Sequence, residues 1–576
     1  MKNLFLLFIS ITFIIFVSTT SCENMMGDFL DKAPGVDVTE DTIFASQISA
    51  EKFLVGTYLD GLYTDLPQWN SRDGNRDAIF SCTCDEAENV ASWYWCQSYN
   101  TASITVNNNR DGRRAIRWKA IRSTNILLEK IDEVPGAEPG FKDQVKGQAR
   151  FIRALNYFEM LKRYGGVPIV RKRLMATDDL KIPRSTFEET VDFIIGDCDT
   201  AIMLLPDSWP ATLKGKATKG AAMMLKSRTL LYAASPLFNT NTPYIELPDH
   251  NDLTGYGDFD NSRWQLAADA AKAVIDWAPA AGVILVTDKG VTENYRYVWE
   301  TPENTEVILS PKFVGLANSG SMTFKSINNF YTTEAGTTVT QNFVEKYEKL
   351  DGTPQVWNPN GGDNLNQMYA QLDPRFAQSI GYNGSYWNVD YPKLQLYQGA
   401  VSASQPPLIG CFGGYWLHKW VPRTLTRTVQ AYQTWHLYRL AEAYLNYAEA
   451  LNEAQGPVPA AYEAVRVIRE RSGMPAFPAG LTKEEFRAKI RNERSIELAF
   501  EEHRLWDIYR WMIAEDEGVM KGAMRGIKIT KQAAPSTEFS WVPYTFETRS
   551  FNRNMYLHPF IQNEVNKGYL IQNPGW

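Results

Sequence analysis

The chain has 576 residues, 44% of them hydrophobic and 22% charged. That is enough apolar side chain to bury a large core, and it excludes a chain disordered by composition. A formal net charge of −7 argues against a nucleic-acid partner, whose phosphates call for a basic face.

Residues 1–21 read as a leader outside the fold. Lys2 supplies the positive start, and Leu4 to Val17 form an apolar run too short for a comfortable membrane span. The small residues Ser18-Thr19-Thr20-Ser21 lead straight into Cys22. This is the pattern of a lipoprotein signal, with Cys22 acylated after cleavage; an ordinary secretory leader cut nearby is the other reading. A lipid at the new N-terminus holds a protein on a membrane without spanning it. Residues 22–45 read as an extended, lipidated tether, and 46–576 as a single domain.

Ser49 to Leu66 is a first amphipathic helix. The irregular stretch from Pro67 to Asn109 follows, holding Asp73, Arg76, Asp85, Asn89, Trp93 and Trp95 among Gly, Asn and Ser. A loop of that length inside a compact domain is usually functional. Export permits disulfides, so Cys82 or Cys84 can pair with Cys96. The segment has no histidine and no second close-spaced cysteine pair, so no metal site is expected.

Helical period resumes at RRAIRWKAIRSTNILLEKIDEVP and continues after Pro135-Gly136 as FKDQVKGQARFIRALNYFEMLKRY, one helical hairpin. A second hairpin runs from Thr186 to Leu205 and from Lys219 to Phe238, and a further helix spans Trp264 to Trp277. Between Val283 and about Arg427 the period disappears among Gly, Asn, Pro and aromatics, with pieces such as VILSPKFVG that read as short strands. Tyr331, Trp357, Trp387 and Tyr391 stand here near Asn358, Asn360, Asn383 and Asn388. From Ala431 a helix reads through AYQTWHLYRLAEAYLNYAEALNEAQG, stops at Gly456-Pro457, and is answered by AAYEAVRVIRERSGMP. A third helix, roughly Lys483 to Met512, carries Arg494–Glu497 and Glu501–Arg504 at i,i+3 spacing. After Met512 the chain reads as irregular. The fold class is predominantly α: tetratricopeptide-like hairpins with an inserted irregular, loop-rich region and a few short strands. The helical scaffold covers about 46–66, 110–277 and 430–512, and the loops about 67–109 and 283–427.

The runs LYRLAEAYLNYAEALNEAQG, VIRERSGMP and IRNERSIELAFEEHRLWDIYRW strongly resemble the C-terminal signature of SusD/RagB-type lipoproteins. FLDKAP after Cys22, LDGTP, LDPRF and the closing YLHPFIQNEVNKGYLIQNPGW also resemble segments of that family, which covers essentially the whole mature chain. The resemblance implies a lipid-anchored outer-membrane protein facing the cell exterior. Such a protein captures an oligosaccharide or other nutrient and delivers it to a TonB-dependent, SusC-like transporter. It also implies that ligand contacts come from the two loop regions.

For chemistry the sequence offers no HExxH, GxSxG, P-loop or strand–helix GxGxxG, so no catalytic residue and no cofactor is expected. Adjacent Glu501-Glu502 read as a solvated or paired face rather than the opposed carboxylates a glycosidase needs. Rings carry more weight: a pyranose stacks its C–H face on Trp or Tyr while its hydroxyls need Asn, Asp or Arg. The expected ligand-binding residues are therefore Asp73, Arg76, Asp85, Asn89, Trp93, Trp95, Tyr331, Trp357, Trp387 and Tyr391. The bland alternative for any one ring is that it closes a small loop core. Rival functions are a secreted glycan-active hydrolase and a transporter assembly factor that binds no sugar.

Overall fold

The helical periods of the sequence become a succession of packed helices. A computed structural model describes residues 40–62, 79–89, 95–311, 321–322, 337–400 and 411–576, apart from six positions between 420 and 434. In chain order the helices are α1 (Glu40–Phe44), α2 (Gln47–Gly61), α3 (Gln97–Asn100), α4 (Arg114–Lys130), α5 (Phe141–Tyr164), α6 (Phe187–Leu204), α7 (Lys219–Ala233) and α8 (Ser262–Trp277). The insertion holds α9 (Asn294–Glu300), α10 (Gln341–Val344), α11 (Leu365–Ala370) and α12 (Pro374–Ser379). The C-terminal part adds α13 (Leu440–Gln455), α14 (Pro459–Arg471), α15 (Lys483–Glu497), α16 (Arg504–Arg510) and α17 (Gln562–Val565). Helix α1 occupies the end of the expected tether.

Local chemistry accounts for the helix starts. Thr186 caps α6 and Thr482 caps α15, each in a reciprocal box with the glutamate three residues on, Glu189 and Glu485. Pro459 begins α14, where its missing N–H costs nothing. Packing runs α4 on α5, α5 on α6, α6 on α7, α7 on α8 and α8 on α13, which also meets α14 and α15. The insertion thus leaves after α8, and the chain returns to the stack at α13. Along α5, Phe151, Ile152, Tyr157 and Phe158 have no exposed surface; a fully buried side chain of this kind contributes roughly 1.5–3 kcal/mol. Among the described residues no helix is long and apolar enough to cross a membrane.

Further sequence expectations change. The helix expected from Ala431 begins only at Leu440: Ala431–Tyr432 and Tyr438–Arg439 are strands, the latter paired with Val307–Leu309. The helix expected from Lys483 to Met512 breaks between α15 and α16, where Phe500 and Glu502 take φ of 60° and 64°. The segment after Met512 contains a long hairpin, Gly522–Lys531 with Phe539–Arg549. The five cysteines expected to include a disulfide, Cys82, Cys84, Cys96, Cys198 and Cys411, are free and buried.

The break after α15 builds a buried ionic hub. Glu497 accepts from Arg375 (3.0 Å), Arg439 (2.7 Å) and Arg471. Glu501 accepts from Arg439 and from Lys419, whose ammonium also donates to the carbonyls of Glu497 and Ala499. Arg375 and Lys419 come from the insertion, so charge ties it to the helical stack. The expected i,i+3 partners are replaced: Arg494 pairs with Asp507 at 2.8 Å, and Arg504 with Asp85. Desolvated charges like these are tolerable only when paired.

Candidate ligand-binding site

Both expected loop regions pass through one small sheet. Its strands are β1 (Ala87–Asn89), β4 (Thr337–Val339), β5 (Ile380–Gly381) and β6 (Trp416–Leu417), in the order β1-β4-β6-β5, all antiparallel; strands β2 (Val307–Leu309) and β3 (Ser321–Met322) lie elsewhere. The register pairs Ala87 with Val339, Glu88 with Thr338 and Asn89 with Thr337. The chain leaving β1 at Asn89 therefore stands beside the chain entering β4 at Thr337. Trp93 follows the first of these ends and Tyr331 precedes the second. Asp73, Arg76, Trp93 and Tyr331, with Cys22, the expected site of lipidation, lie outside the described residues.

The sheet end is held rigidly. Thr340 donates its backbone N–H to the Glu86 carbonyl at 3.1 Å and its hydroxyl to the Asp85 carbonyl. Thr338 donates its hydroxyl to the Tyr415 carbonyl at 2.8 Å. Gly413 lies so close to β4 that a Cβ there would sit 1.7 Å from the Val339 carbonyl oxygen, so only glycine fits. Glu88 receives hydrogen bonds from Gln97 (2.8 Å) and Asn100 (2.9 Å), and from Arg549 at 2.5 Å. Residues on both sides of 90–94 are thus joined through one buried carboxylate, a connection with no local signal in the sequence.

The remaining candidates are dispersed. Asp85 is buried beneath β1; burial alone would push its carboxyl up, but Arg504 (2.7 and 2.8 Å) and Lys346 (3.2 Å) hold it down at about 2. It is a fixed, compensated anion that ties β1 to α16. Glu86 next to it is pushed up to about 7, by burial first, and accepts from the Phe500 N–H at 3.0 Å. Asn89 is buried at the last rung of β1. Trp95 is half-buried, edge-on to Phe80 at 5.0 Å and Tyr99 at 5.8 Å. Trp387 is 1% exposed and stacks on the His418 ring at 4.1 Å. Tyr391, buried as well, closes the same turn by accepting the Trp387 N–H at its carbonyl. Burial, reinforced by Arg296 and Arg423, pushes His418 well below the usual imidazole range and keeps it neutral under that ring. Trp357 is half-buried and sits edge-on to Trp541 at 5.2 Å. Asp85, Trp387 and Tyr391 thus build the support, Trp95 and Trp357 keep partial exposure, and Asn89 marks the shared strand end. Among the described residues no group of three or more His, Cys, Asp or Glu side chains could hold a metal ion.

Known proteins resemble the chain at both levels. Residues 305–576 match a family described as the SusD family, and residues 28–231 match one described as starch-binding, associating with outer membrane. SusD-like protein P25 of Formosa agariphila is 22% identical over 529 residues, covering 88% of this chain and 89% of that protein. A solved SusD-like protein of Bacteroides fragilis is 27% identical with a TM-score of 0.75, over 95% of this chain and 100% of that one. A second from the same organism, described as a SusD-like carbohydrate binding protein, has a TM-score of 0.67 at 20% identity, over 91% and 99%. Matched over both parts of its sequence and nearly the whole of its fold, the chain is a member of the SusD-like family.

Proposed function

We propose that the protein is a lipoprotein, anchored through Cys22 on the exterior of the outer membrane, that captures an oligosaccharide and hands it to a TonB-dependent, SusC-like transporter without breaking a bond. The observation that carries this reading is the Asn89–Thr337 pairing. It brings Asn89 and Thr337, the described ends next to two aromatic- and amide-rich stretches far apart in sequence, side by side at one sheet end. Trp93 and Trp95 supply stacking rings from the first loop and Tyr331 from the second, with Asp73 and Arg76 for hydroxyls; Trp357 adds a half-exposed ring from the insertion. Stacking on rings and bonding to hydroxyls suits a sugar, and capture needs no acid–base pair. The description of the family matched by residues 28–231 agrees with both ligand class and membrane.

The test is calorimetric titration of the full chain, in detergent micelles, against a panel of neutral oligosaccharides, with Trp93→Ala and Tyr331→Ala beside the parent. One lost stacked ring costs on the order of 1–3 kcal/mol by analogy with stacked bases, about tenfold or more in Kd. A parent that binds no member of the panel, or that releases new reducing ends, refutes the reading. Folded variants that bind like the parent refute the location.

A further inference from the structure

The turn between α6 and α7, the end of α8 and the Pro302–Ser310 segment that contains β2 enclose a cavity of about 310 Å³. None of its lining residues belongs to β1, β4, β5 or β6. Trp209 from the turn and Trp277 from the last residue of α8 both line it. We propose that this cavity is a second saccharide pocket, built where the helical scaffold meets the start of the insertion and taking one or two neutral pyranose units. The inference rests on the reading of the protein as glycan-binding.

Both indoles are fixed before any ligand arrives. Trp209 Nε1 donates to the Ala217 carbonyl at 2.8 Å, and Trp277 Nε1 to Asp207 Oδ1 at 2.7 Å. Gly220, in the first turn of α7, allows the Trp277 ring to lie on the helix: a Cβ there would come within 2.0 Å of Trp277 Cη2. Both rings are nevertheless only half-buried. Rings already immobilised lose little conformational entropy on binding, and their apolar surface suits the C–H face of a sugar.

The polar rim selects for neutrality. Lys214 pairs with Glu303 at 3.0 Å, Lys216 with Glu51 at 2.7 Å, and Lys219 faces Asp207 at 3.8 Å. Each charge at the mouth has its opposite beside it, so the cavity has no excess charge with which to favour an ion. Carboxylates accept and ammoniums donate, and a sugar hydroxyl does both. The volume lies at the small end of the range of about 300–1,000 Å³ typical of ligand pockets, which fits a short saccharide and not a folded partner.

The experiment is calorimetry of the full chain in micelles with maltohexaose, laminarihexaose, xylohexaose and mannohexaose. It compares the parent with Trp209→Ala, Ser208→Trp and Trp93→Ala. Ser208 is exposed at the rim, so Ser208→Trp fills the mouth without removing a packed atom and guards against misfolding of Trp209→Ala. The expected parent binds a hexaose at two sites per chain. Trp209→Ala and Ser208→Trp weaken one of them at least tenfold, and Trp93→Ala weakens only the other. Parent-like stoichiometry and affinity in both Trp209→Ala and Ser208→Trp would overturn the pocket and leave glycan capture by the loops standing. Loss in those two variants with no effect of Trp93→Ala supports the pocket and counts against the loop site. A parent that binds none of the four probes overturns the pocket, and the panel titration then decides separately whether any glycan is bound.

Discussion

Replacing Glu497 with glutamine keeps the shape of the side chain and removes its charge from the point where α15, α14 and the insertion meet. In the parent, burial alone would push this carboxyl up, but Arg471, Arg439 and Arg375 hold it well below the usual carboxylate range. None of these four side chains is more than 2% exposed. At an effective dielectric near 20, one contact at ~4 Å is worth about 4 kcal/mol before desolvation. Removing one partner of a buried pair costs about 3–5 kcal/mol. Each arginine keeps another carboxylate, Asp373 for Arg375 and Glu306 for Arg439 and Arg471. That places the expected loss at the lower end, about 3 kcal/mol. The control is Glu463→Gln, whose pair with Arg466 is exposed and worth at most about 1 kcal/mol. Thermal unfolding at matched scan rates should lower Tm by several degrees for Glu497→Gln, since ~1 kcal/mol moves Tm by roughly 2–4 °C in a domain of about 150–250 residues and by less in a larger one. A carboxyl with a depressed folded pKa contributes its stability above its unfolded value of 4.5 and loses it only as pH falls through the folded value. The gap between variant and parent should therefore stay constant above pH 4.5. Melting of Glu497→Gln no lower than that of Glu463→Gln would show that the hub carries no net stability.

Glu86 has the opposite sign. Its folded pKa of about 7 lies above the unfolded 4.5, so its contribution is complete below pH 4.5 and declines as pH rises through about 7, by about 3 kcal/mol in all. Glu86→Gln keeps an acceptor for the Phe500 N–H and cannot ionise; identical slopes of Tm against pH for variant and parent between pH 5 and 8 would rule this out. Cys22→Ser should abolish fatty-acid labelling and release the protein from the membrane fraction, and a labelled, pelleting variant would sink the anchor.

What was legible in the sequence is what depends on near neighbours. The hairpins α4–α5 and α6–α7 follow from apolar period and from caps such as Thr186 with Glu189, all within a few residues. The helix misread from Ala431 failed because Tyr438 and Arg439 pair with Leu309 and Val307, a partner no local period reveals. Arg504 had Glu501 at helical spacing but pairs with Asp85, 419 residues away. The hairpin after Met512 did carry a signal: Met524, Ile527 and Ile529 turn inward in a run that ends in strict alternation.

The site follows the same logic with a sharper consequence. Trp387 and Trp95 stand in similar surroundings of Asn, Ser and Tyr, and composition cannot separate them. Gly381 separates them in space: a Cβ there would lie 2.8 Å from the Trp387 ring, which is sealed between that backbone and His418, whereas Trp95 meets its neighbours edge-on and keeps some surface. A ring with both faces occupied cannot stack on a sugar, however suitable its sequence context. The rings free to do so are those whose faces the long-range pairings leave uncovered, and the Asn89–Thr337 ladder is the pairing that decides where the two loops begin. If the loops capture the glycan as proposed, specificity depends on contacts between residues far apart in sequence, and Gly381→Ala or Gly413→Ala should weaken oligosaccharide binding in calorimetry without touching a ligand; parent-like affinity in both folded variants would refute this.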